Sequence, residues 1–354
     1  MNSKPSISYT AYMQRAIASL KAEERFGTAH IYFYALRSYT GFVGGGEVYF
    51  GALNRQALKR YEAYLLERSH SWNTVSTYVG ALRAVYNRAV DEEVIAGDYR
   101  LFSNVFTGVK VEKKRALRAE QMQQIVGRTL SDTRHRPDDT RRLPDDTRSL
   151  SDRTRSLPDA AGRLPAGARS ARDLLTLMLL LQGMPFVDLI HLRKEDIKEG
   201  DDGTCRLSSR RRKTGTALNV EVVPEALELI NRYRSASPDS PYLLHFFDGM
   251  HSREAMYNEY RHRLRNLNYG LSQLSARCGL KGVRISSYTA RHTWATLAKY
   301  CQVPEEIISE GLGHSSLKVT RTYLKSFEGG ELARANRMVM ACVFAGKKEV
   351  WTGT

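Results

Sequence analysis

The sequence predicts a mostly α-helical protein with one small β-sheet, organised as two domains. Apolar residues recur three and four positions apart over residues 8 to 95, which is the spacing of amphipathic helices. Two strand-like runs flank a Thr-Gly-Thr turn within residues 204 to 224, and helical spacing resumes from 225. A length of 354 residues allows two compact domains that each bury a core.

The charge of the chain favours a polyanionic partner. Lysine and arginine exceed the acidic residues and give a formal net charge of +16, which suits nucleic acid or an anionic membrane surface. The longest apolar run, LLTLMLLL at 174 to 181, is far shorter than the roughly 20 residues that span a bilayer. The first ten residues lack a secretion signal. We therefore expect an intracellular, nucleic-acid-binding protein without a membrane partner.

The first predicted domain comprises residues 1–108 and contains about four helices. The run SWNTVSTYVGALRAVYNRAV opens with a capping residue and continues along one apolar face. The glycine-rich run GFVGGGEVYFG at 41 to 51 connects two of the helices. A basic linker at 109–120 is expected to join this domain to the second one.

The second predicted domain comprises residues 121–330 and carries a seven-residue repeat, with units such as PDDTRRL and PDDTRSL. Proline recurs at one place in several units and would interrupt a helix, and each unit has one leucine to bury. We therefore predict a disordered insertion at 129–172. The chain is expected to end in a tail helix at 331–354.

The rest of the second domain begins with an apolar helix that breaks at Gly183 and Pro185, followed by a new helix start at Val187. The predicted hairpin carries four consecutive basic residues at 210 to 213. Such a run is typical of a general nucleic-acid-binding patch, and it is equally compatible with part of an active site.

Further along the chain, residues 285 to 327 contain the motifs ARHTWAT and GLGHSSLKVTRTYL. With RRKTG in the hairpin, these motifs resemble the tyrosine recombinase family, also called phage integrases, in order, spacing and context. The resemblance implies an N-terminal helical core-binding (SAM-like) domain and a mixed α/β catalytic domain. The turn GMPF together with SYTARHTW is similar to recombinases of Bacteroides-type bacteria and their mobile elements, and this favours a DNA invertase.

The resemblance also implies a reaction and the residues that perform it. In this family a tyrosine oxygen attacks a DNA phosphodiester and leaves a 3′-phosphotyrosyl link, with no cofactor and no metal. Tyr323 matches the nucleophile, and Arg291 matches the second arginine of the phosphate clamp. His314 matches a hydrogen-bond donor to the phosphate, and Lys213 matches the hairpin lysine that protonates the departing 5′ oxygen.

Tyr288 is the first departure from the family pattern. It stands where the family usually has a histidine, three residues before Arg291. A tyrosine can donate a hydrogen bond to phosphate, but a pKa of about 10 makes it a poor general base. His292 follows Arg291 directly, and because a helix turns consecutive side chains about 100° apart we do not assign it to the site.

Pro185 is the second departure, because it stands where the family usually has its first arginine. Side chains alternate along a strand, so Arg211 is expected on the same face as Lys213. We therefore predict that Arg211 substitutes for the missing arginine, with Arg193 as a weaker alternative.

Together these features predict a site-specific DNA recombinase that integrates, excises or inverts DNA. The family implies double-stranded DNA as the partner, a homo-tetramer on two DNA sites, accessory DNA-bending proteins and a nucleoid-associated location in the bacterial cytoplasm. Because the helices begin by residue 8, we expect no additional arm-binding domain. Two alternatives remain: a type IB topoisomerase-like enzyme, and, given the two departures, a catalytically impaired DNA-binding protein. The tail would dock on a neighbouring protomer or pack on its own domain.

Overall fold

A computed structural model describes seven ranges of the chain. They are residues 7–110, 116–132, 164–201, 203–250, 252–280, 282–314 and 316–324, with side chains described up to 126 in the second range. The chain divides into two compact units, Met1–Glu112 and Lys113–Thr354.

The first unit is helical, as predicted. Its helices are α1 (Tyr9–Ala22), α2 (Phe26–Phe42), α3 (Arg55–Glu67) and α4 (Trp72–Asp91). Three of them begin at polar caps, in which the side chains of Ser8, Asn54 and Ser71 accept a hydrogen bond from a backbone N–H of the first turn. The glycine-rich run extends from the last residues of α2 into a short 3-10 turn at Phe50–Ala52.

Aromatic side chains dominate the core of the first unit. The rings of Tyr9, Tyr39 and Tyr61 are fully buried, and Tyr39 and Tyr61 meet edge to face with centroids 5.0 Å apart. The hydroxyl of Tyr9 donates to the carbonyl oxygen of Leu82 at 3.0 Å and ties α1 to α4.

The second unit combines helices with one small antiparallel sheet, which confirms the predicted fold class. The helices are α5 (Ala119–Asp132), α6 (Ala166–Leu180), α7 (Phe186–Leu189), α8 (Pro224–Tyr233), α9 (Arg253–Arg277), α10 (Thr289–Tyr300), α11 (Glu305–Gly311) and α12 (Leu317–Tyr323). The sheet has the order β1 (Ile197–Glu199), β2 (Cys205–Arg210) and β3 (Ala217–Glu221).

The register of the sheet follows its apolar pattern. Leu207 pairs with Val220, and Ser209 pairs with Leu218. The side chains of Leu207, Leu218 and Val220 are buried, so one face of the hairpin joins the core of the unit. Because this face packs on the core, the turn at 211 to 216 between β2 and β3 is anchored to the unit at both ends.

The central helix pair of the second unit is α6 and α9, and it corrects the predicted insertion. Gly270 on α9 packs so closely on α6 that a Cβ there would lie 2.5 Å from the carbonyl oxygen of Gly167. Helix α6 begins at Ala166, inside the stretch predicted to be disordered up to 172, and its residues Ala168 and Ala171 are buried. At the other end α5 continues to Asp132, which also lies inside 129–172.

Other predictions fall outside the described residues. These are the rest of the repeat, residues 133 to 163, and the tail helix at 331–354. Among the helices that are described, none is long and apolar enough to cross a bilayer.

Candidate active site

Arg291 forms the centre of the site and lies in the first turn of α10. Its side chain is only 2% exposed. Nη1 donates to the carbonyl oxygen of Gly183 at 3.2 Å, and Nη2 donates to the carbonyl oxygen of Leu312 and to Nε2 of His314, the latter at 2.9 Å. The pKa of Arg291 is lowered to about 10, first by burial and then by the charge of Arg211. The guanidinium therefore remains charged at neutral pH.

The turn between α6 and α7 makes room for this arginine. Gly183 has φ +69°, and a Cβ at this position would lie 2.8 Å from Cα of Arg291. A side chain would thus meet both backbone strain and the backbone of α10. The predicted helix break is confirmed, and the backbone of this turn packs against Arg291.

His314 lies in the loop between α11 and α12 and is held from both sides. Nδ1 lies 2.9 Å from Oγ1 of Thr320, and Nε2 faces Arg291. Because a guanidinium can only donate, Nε2 accepts and the proton lies on Nδ1. Burial, followed by the charges of Arg291 and Arg211, lowers the pKa of His314 to about 4.

Tyr323 ends α12 and its ring covers this cluster. The ring stacks on His314 with centroids 5.0 Å apart, and the guanidinium carbon of Arg291 lies 5.4 Å from its centroid. The ring of His292 lies on it as well, at 4.7 Å. The structure therefore brings together three residues that the sequence predicted for the site, Tyr323, Arg291 and His314.

Arg211 also joins the cluster, although not in the predicted way. It is 9% exposed, its Nε donates to Oδ2 of Asp188 at 2.7 Å, and its Nη1 donates to the carbonyl oxygen of Leu312. Leu312 thus accepts hydrogen bonds from both Arg211 and Arg291. The two guanidinium groups lie side by side on one backbone oxygen.

The prediction that Arg211 and Lys213 lie on the same face of a strand is wrong. Strand β2 ends at Arg210, so both residues lie in the turn, where side chains do not alternate. Arg211 points into the protein, whereas Lys213 is exposed to solvent. The lysine lies on the turn rather than on a strand.

The remaining candidates lie at the edge of the site. Tyr288 is the residue before α10 and is 51% exposed. Its pKa is raised, first by partial burial and then by nearby Tyr323. Arg193, the weaker alternative to Arg211, is exposed and pairs with Glu195 at 3.1 Å.

Two residues of the cluster were not predicted from the sequence. Asp188 is 5% exposed and binds Arg211, and its only signal was an acidic residue within the apolar run PFVDLIHL. His292 was set aside because of the helical turn, yet Tyr323 is wide enough to contact both of the consecutive residues Arg291 and His292. Within the described ranges, no group of three or more His, Cys, Asp or Glu side chains is arranged to hold a metal ion.

Family models account for most of the chain. The model described as phage integrase SAM-like domain matches residues 8–104, and the model described as phage integrase family matches residues 151–329, more than half of the chain. The chain belongs to the phage integrase family. This phage integrase is a DNA recombinase that acts by site-specific cleavage and rejoining of DNA, as the sequence predicted.

Solved structures share the fold of this phage integrase at low sequence identity. XerH recombinase bound to a palindromic difH substrate has a TM-score of 0.58 at 15% identity, over 88% of this chain and 80% of that one. The Tn1549 transposon integrase with transposon right end DNA has a TM-score of 0.57 at 12% identity, over 95% and 100%. A lambda integrase dimer on a COC′ core site has a TM-score of 0.54 at 13% identity, over 92% and 81%. A search of curated proteins finds no match.

Proposed function

We propose that Tyr323 is the nucleophile of this recombinase and that Arg291, Arg211 and His314 bind the scissile phosphate. The observation that carries the proposal is the position of the Tyr323 ring, which lies on Arg291 and His314 together. A phosphate beside Arg291 would also lie near Arg211, because both guanidinium groups donate to the carbonyl oxygen of Leu312, and planar guanidinium groups bind phosphate oxygens in pairs.

In the proposed step, Oη of Tyr323 forms a bond to phosphorus while its proton leaves to solvent. The bond between phosphorus and the 5′ oxygen breaks, and Lys213 gives a proton to that oxygen. Arg211 and Arg291 stabilise the additional negative charge of the five-coordinate phosphorus, and these cations are already in place before DNA binds. The exposed position of Lys213 in the turn leaves it accessible to a bound duplex.

Two further roles follow from the chemistry of the side chains. In the free protein, Nε2 of His314 accepts a hydrogen bond from Arg291. To donate a hydrogen bond to the phosphate, His314 must either carry its proton on Nε2 or donate from Nδ1. Tyr288 has a raised pKa and half of its surface exposed, which suits a neutral hydroxyl that donates to a phosphate oxygen. We assign it no role as a base.

The test uses a target duplex selected from a random-sequence pool by binding to the full chain, with a nick that lets the cleaved end diffuse away. We expect the wild-type protein to accumulate a covalent DNA adduct and Tyr323→Phe to form none. Arg211→Ala should cleave at least about a hundredfold more slowly, as expected for a lost transition-state contact. Arg193→Ala is the matched control and should cleave normally.

Two results would contradict the assignments. Normal cleavage by Arg211→Ala would remove it from the clamp. Absence of any adduct with the wild-type protein would favour an impaired DNA-binding protein over an active nucleophile.

We also propose that four copies assemble on two DNA sites and exchange strands. Support comes from the fold shared with a lambda integrase tetramer bound to a Holliday junction, at a TM-score of 0.55 and 13% identity. Inversion is the expected outcome, with accessory DNA-bending proteins as further partners. A plasmid with two inverted target sites should yield inverted product, whereas relaxation of supercoils without rearrangement would indicate a topoisomerase-like enzyme.

A further inference from the structure

A buried hydroxyl on α12 holds the ring of His314. Thr320 is fully buried, and its Oγ1 lies 2.9 Å from Nδ1 of His314. Thr320 precedes Tyr323 by three positions in the same helix, so the two side chains are neighbours on its surface. One hydrogen bond therefore joins His314 to the helix that carries the proposed nucleophile.

This hydrogen bond decides which nitrogen of His314 faces the cluster. Because Nδ1 is directed at Thr320, Nε2 lies toward Arg291, at 2.9 Å from its Nη2. Arg291 can only donate, so in the free protein the ring proton lies on Nδ1 and is donated to Oγ1 of Thr320. In this state Nε2 has no proton to give to a phosphate oxygen.

A second ring proton is unfavourable at neutral pH. Burial and the charges of Arg291 and Arg211 lower the pKa of His314 to about 4, so the ring carries a single proton. If Nε2 is to donate, Nδ1 must become an acceptor and needs a donor opposite it. A hydroxyl group suits this position, because it can either accept or donate a hydrogen bond.

We propose that Thr320 is a positioning residue that lets His314 exchange its tautomer when DNA binds. Once a phosphate oxygen accepts from Arg291, the partly exposed ring releases its proton from Nδ1 to water and takes one at Nε2 from water. Its charge stays zero. The hydroxyl of Thr320 rotates and donates to Nδ1, and Nε2 donates to the phosphate oxygen. The proposal rests on the role proposed above for His314.

Two substitutions separate the hydroxyl of Thr320 from the shape of its side chain. Thr320→Val keeps the branched shape and removes the hydroxyl, whereas Thr320→Ser keeps the hydroxyl. Thr296→Val is the matched control. Thr296 lies on α10 and is 1% exposed, and its hydroxyl has no hydrogen-bond partner within the part of the chain that the structure describes.

We expect Thr320→Val to cleave the nicked target duplex roughly five- to a hundredfold more slowly at saturating DNA, the cost of leaving a buried polar group without its hydrogen bond. Its affinity for the duplex should stay within about twofold, because many phosphate contacts share the binding. Thr320→Ser should cleave within about threefold of the wild-type rate, because serine offers the same donor and acceptor. Thr296→Val should cleave like the wild-type protein.

The second measurement is the tautomer itself, in a protein that keeps Thr320. Nitrogen-15 chemical shifts of the imidazole ring distinguish a protonated from an unprotonated nitrogen, with His314→Asn for the assignment. We expect Tyr323→Phe, which cannot cleave, to carry the His314 proton on Nδ1 when free and on Nε2 when bound to the intact target duplex. A ring that keeps its proton on Nδ1 in the complex, or that becomes charged, would overturn the proposal.

His314→Ala separates this proposal from the proposed function. If His314→Ala cleaves normally, the assignment of His314 to the phosphate fails, and the role of Thr320 fails with it. If His314→Ala cleaves slowly while Thr320→Val cleaves at the wild-type rate, His314 keeps its role and the proposal for Thr320 alone is overturned. Adding Thr320→Val to His314→Ala should slow cleavage less than about threefold further, because both residues act through one hydrogen bond.

Discussion

His314 illustrates how the site controls a single proton. Its ring is neutral because burial and two neighbouring guanidinium groups lower its pKa to about 4. A neutral ring can accept from Arg291 and still donate to Thr320, whereas a charged ring would face two cations without an acceptor. The histidine therefore depends on the arginines for its protonation state.

We expect the ring of His314 to titrate near pH 4 in the folded protein. The unfolded chain binds this proton near pH 6.5, so the free energy of unfolding should fall as the pH decreases from about 6.5 to about 4. Nuclear magnetic resonance of the histidine rings would measure the midpoint, with His314→Asn for the assignment. A midpoint above pH 6 would contradict the neutral state.

At the residue scale, the sequence predicted the groups that its motifs carry and missed those that depend on packing. Tyr323, Arg291 and His314 lie within one stretch of three short helices, α10 to α12, and the loops that join them. Asp188 and Arg211 lie 23 positions apart, and their contact depends on how the hairpin packs against α7. No local pattern contains that information. Alternation along a strand also misplaced Lys213, because the strand ends at Arg210.

At the scale of elements, the helix break after α6 decides where α10 can lie. Gly183→Ala adds a Cβ 2.8 Å from Cα of Arg291, at a backbone angle of φ +69°. We expect this variant to lose cleavage activity by at least about tenfold, because a small displacement of α10 moves Arg291 away from the phosphate. Single-turnover cleavage of the nicked target duplex would measure the loss.

Gly203→Ala is the control for this substitution. Gly203 has φ +73° and no atom within 4 Å of an added Cβ, so the change carries the backbone strain of roughly 1–2 kcal/mol without the steric contact. It should lower the free energy of unfolding modestly and leave cleavage intact. Equal cleavage by the two variants would show that the contact with Arg291 does not position α10.

The predicted boundaries of the disordered insertion are wrong for a related reason. A repeat with recurrent proline predicts a chain without helices, but its last unit, PAGARSA, supplies the small residues that α6 buries against α9. Helix formation there depends on a partner helix about a hundred residues further along. The four helices of the first unit were predictable because each carries its own apolar face, and three of them also begin at a polar cap.

At the scale of the whole molecule, the repeat contributes little to the charge that attracts DNA. Two of its units, residues 144 to 157, contain three arginines and three aspartates. Their deletion leaves the net charge of +16 unchanged. We expect the deletion variant to bind the target duplex with the same affinity and the same dependence on salt.

Binding titrations at several salt concentrations would measure this dependence. Each phosphate contact adds about −0.9 to the slope of log affinity against log salt. A slope that becomes shallower by one or more in the deletion variant would assign phosphate contacts to the repeat.

The carbonyl oxygen of Leu312 gives the site one further property. Because Arg211 and Arg291 both donate to this atom, the loop after α11 is a shared support for the two cations. A displacement of the Leu312 carbonyl oxygen would disturb the hydrogen bonds of both arginines at once. The two cations of the proposed phosphate clamp would then be impaired together, so phosphate binding and cleavage would fall together rather than separately.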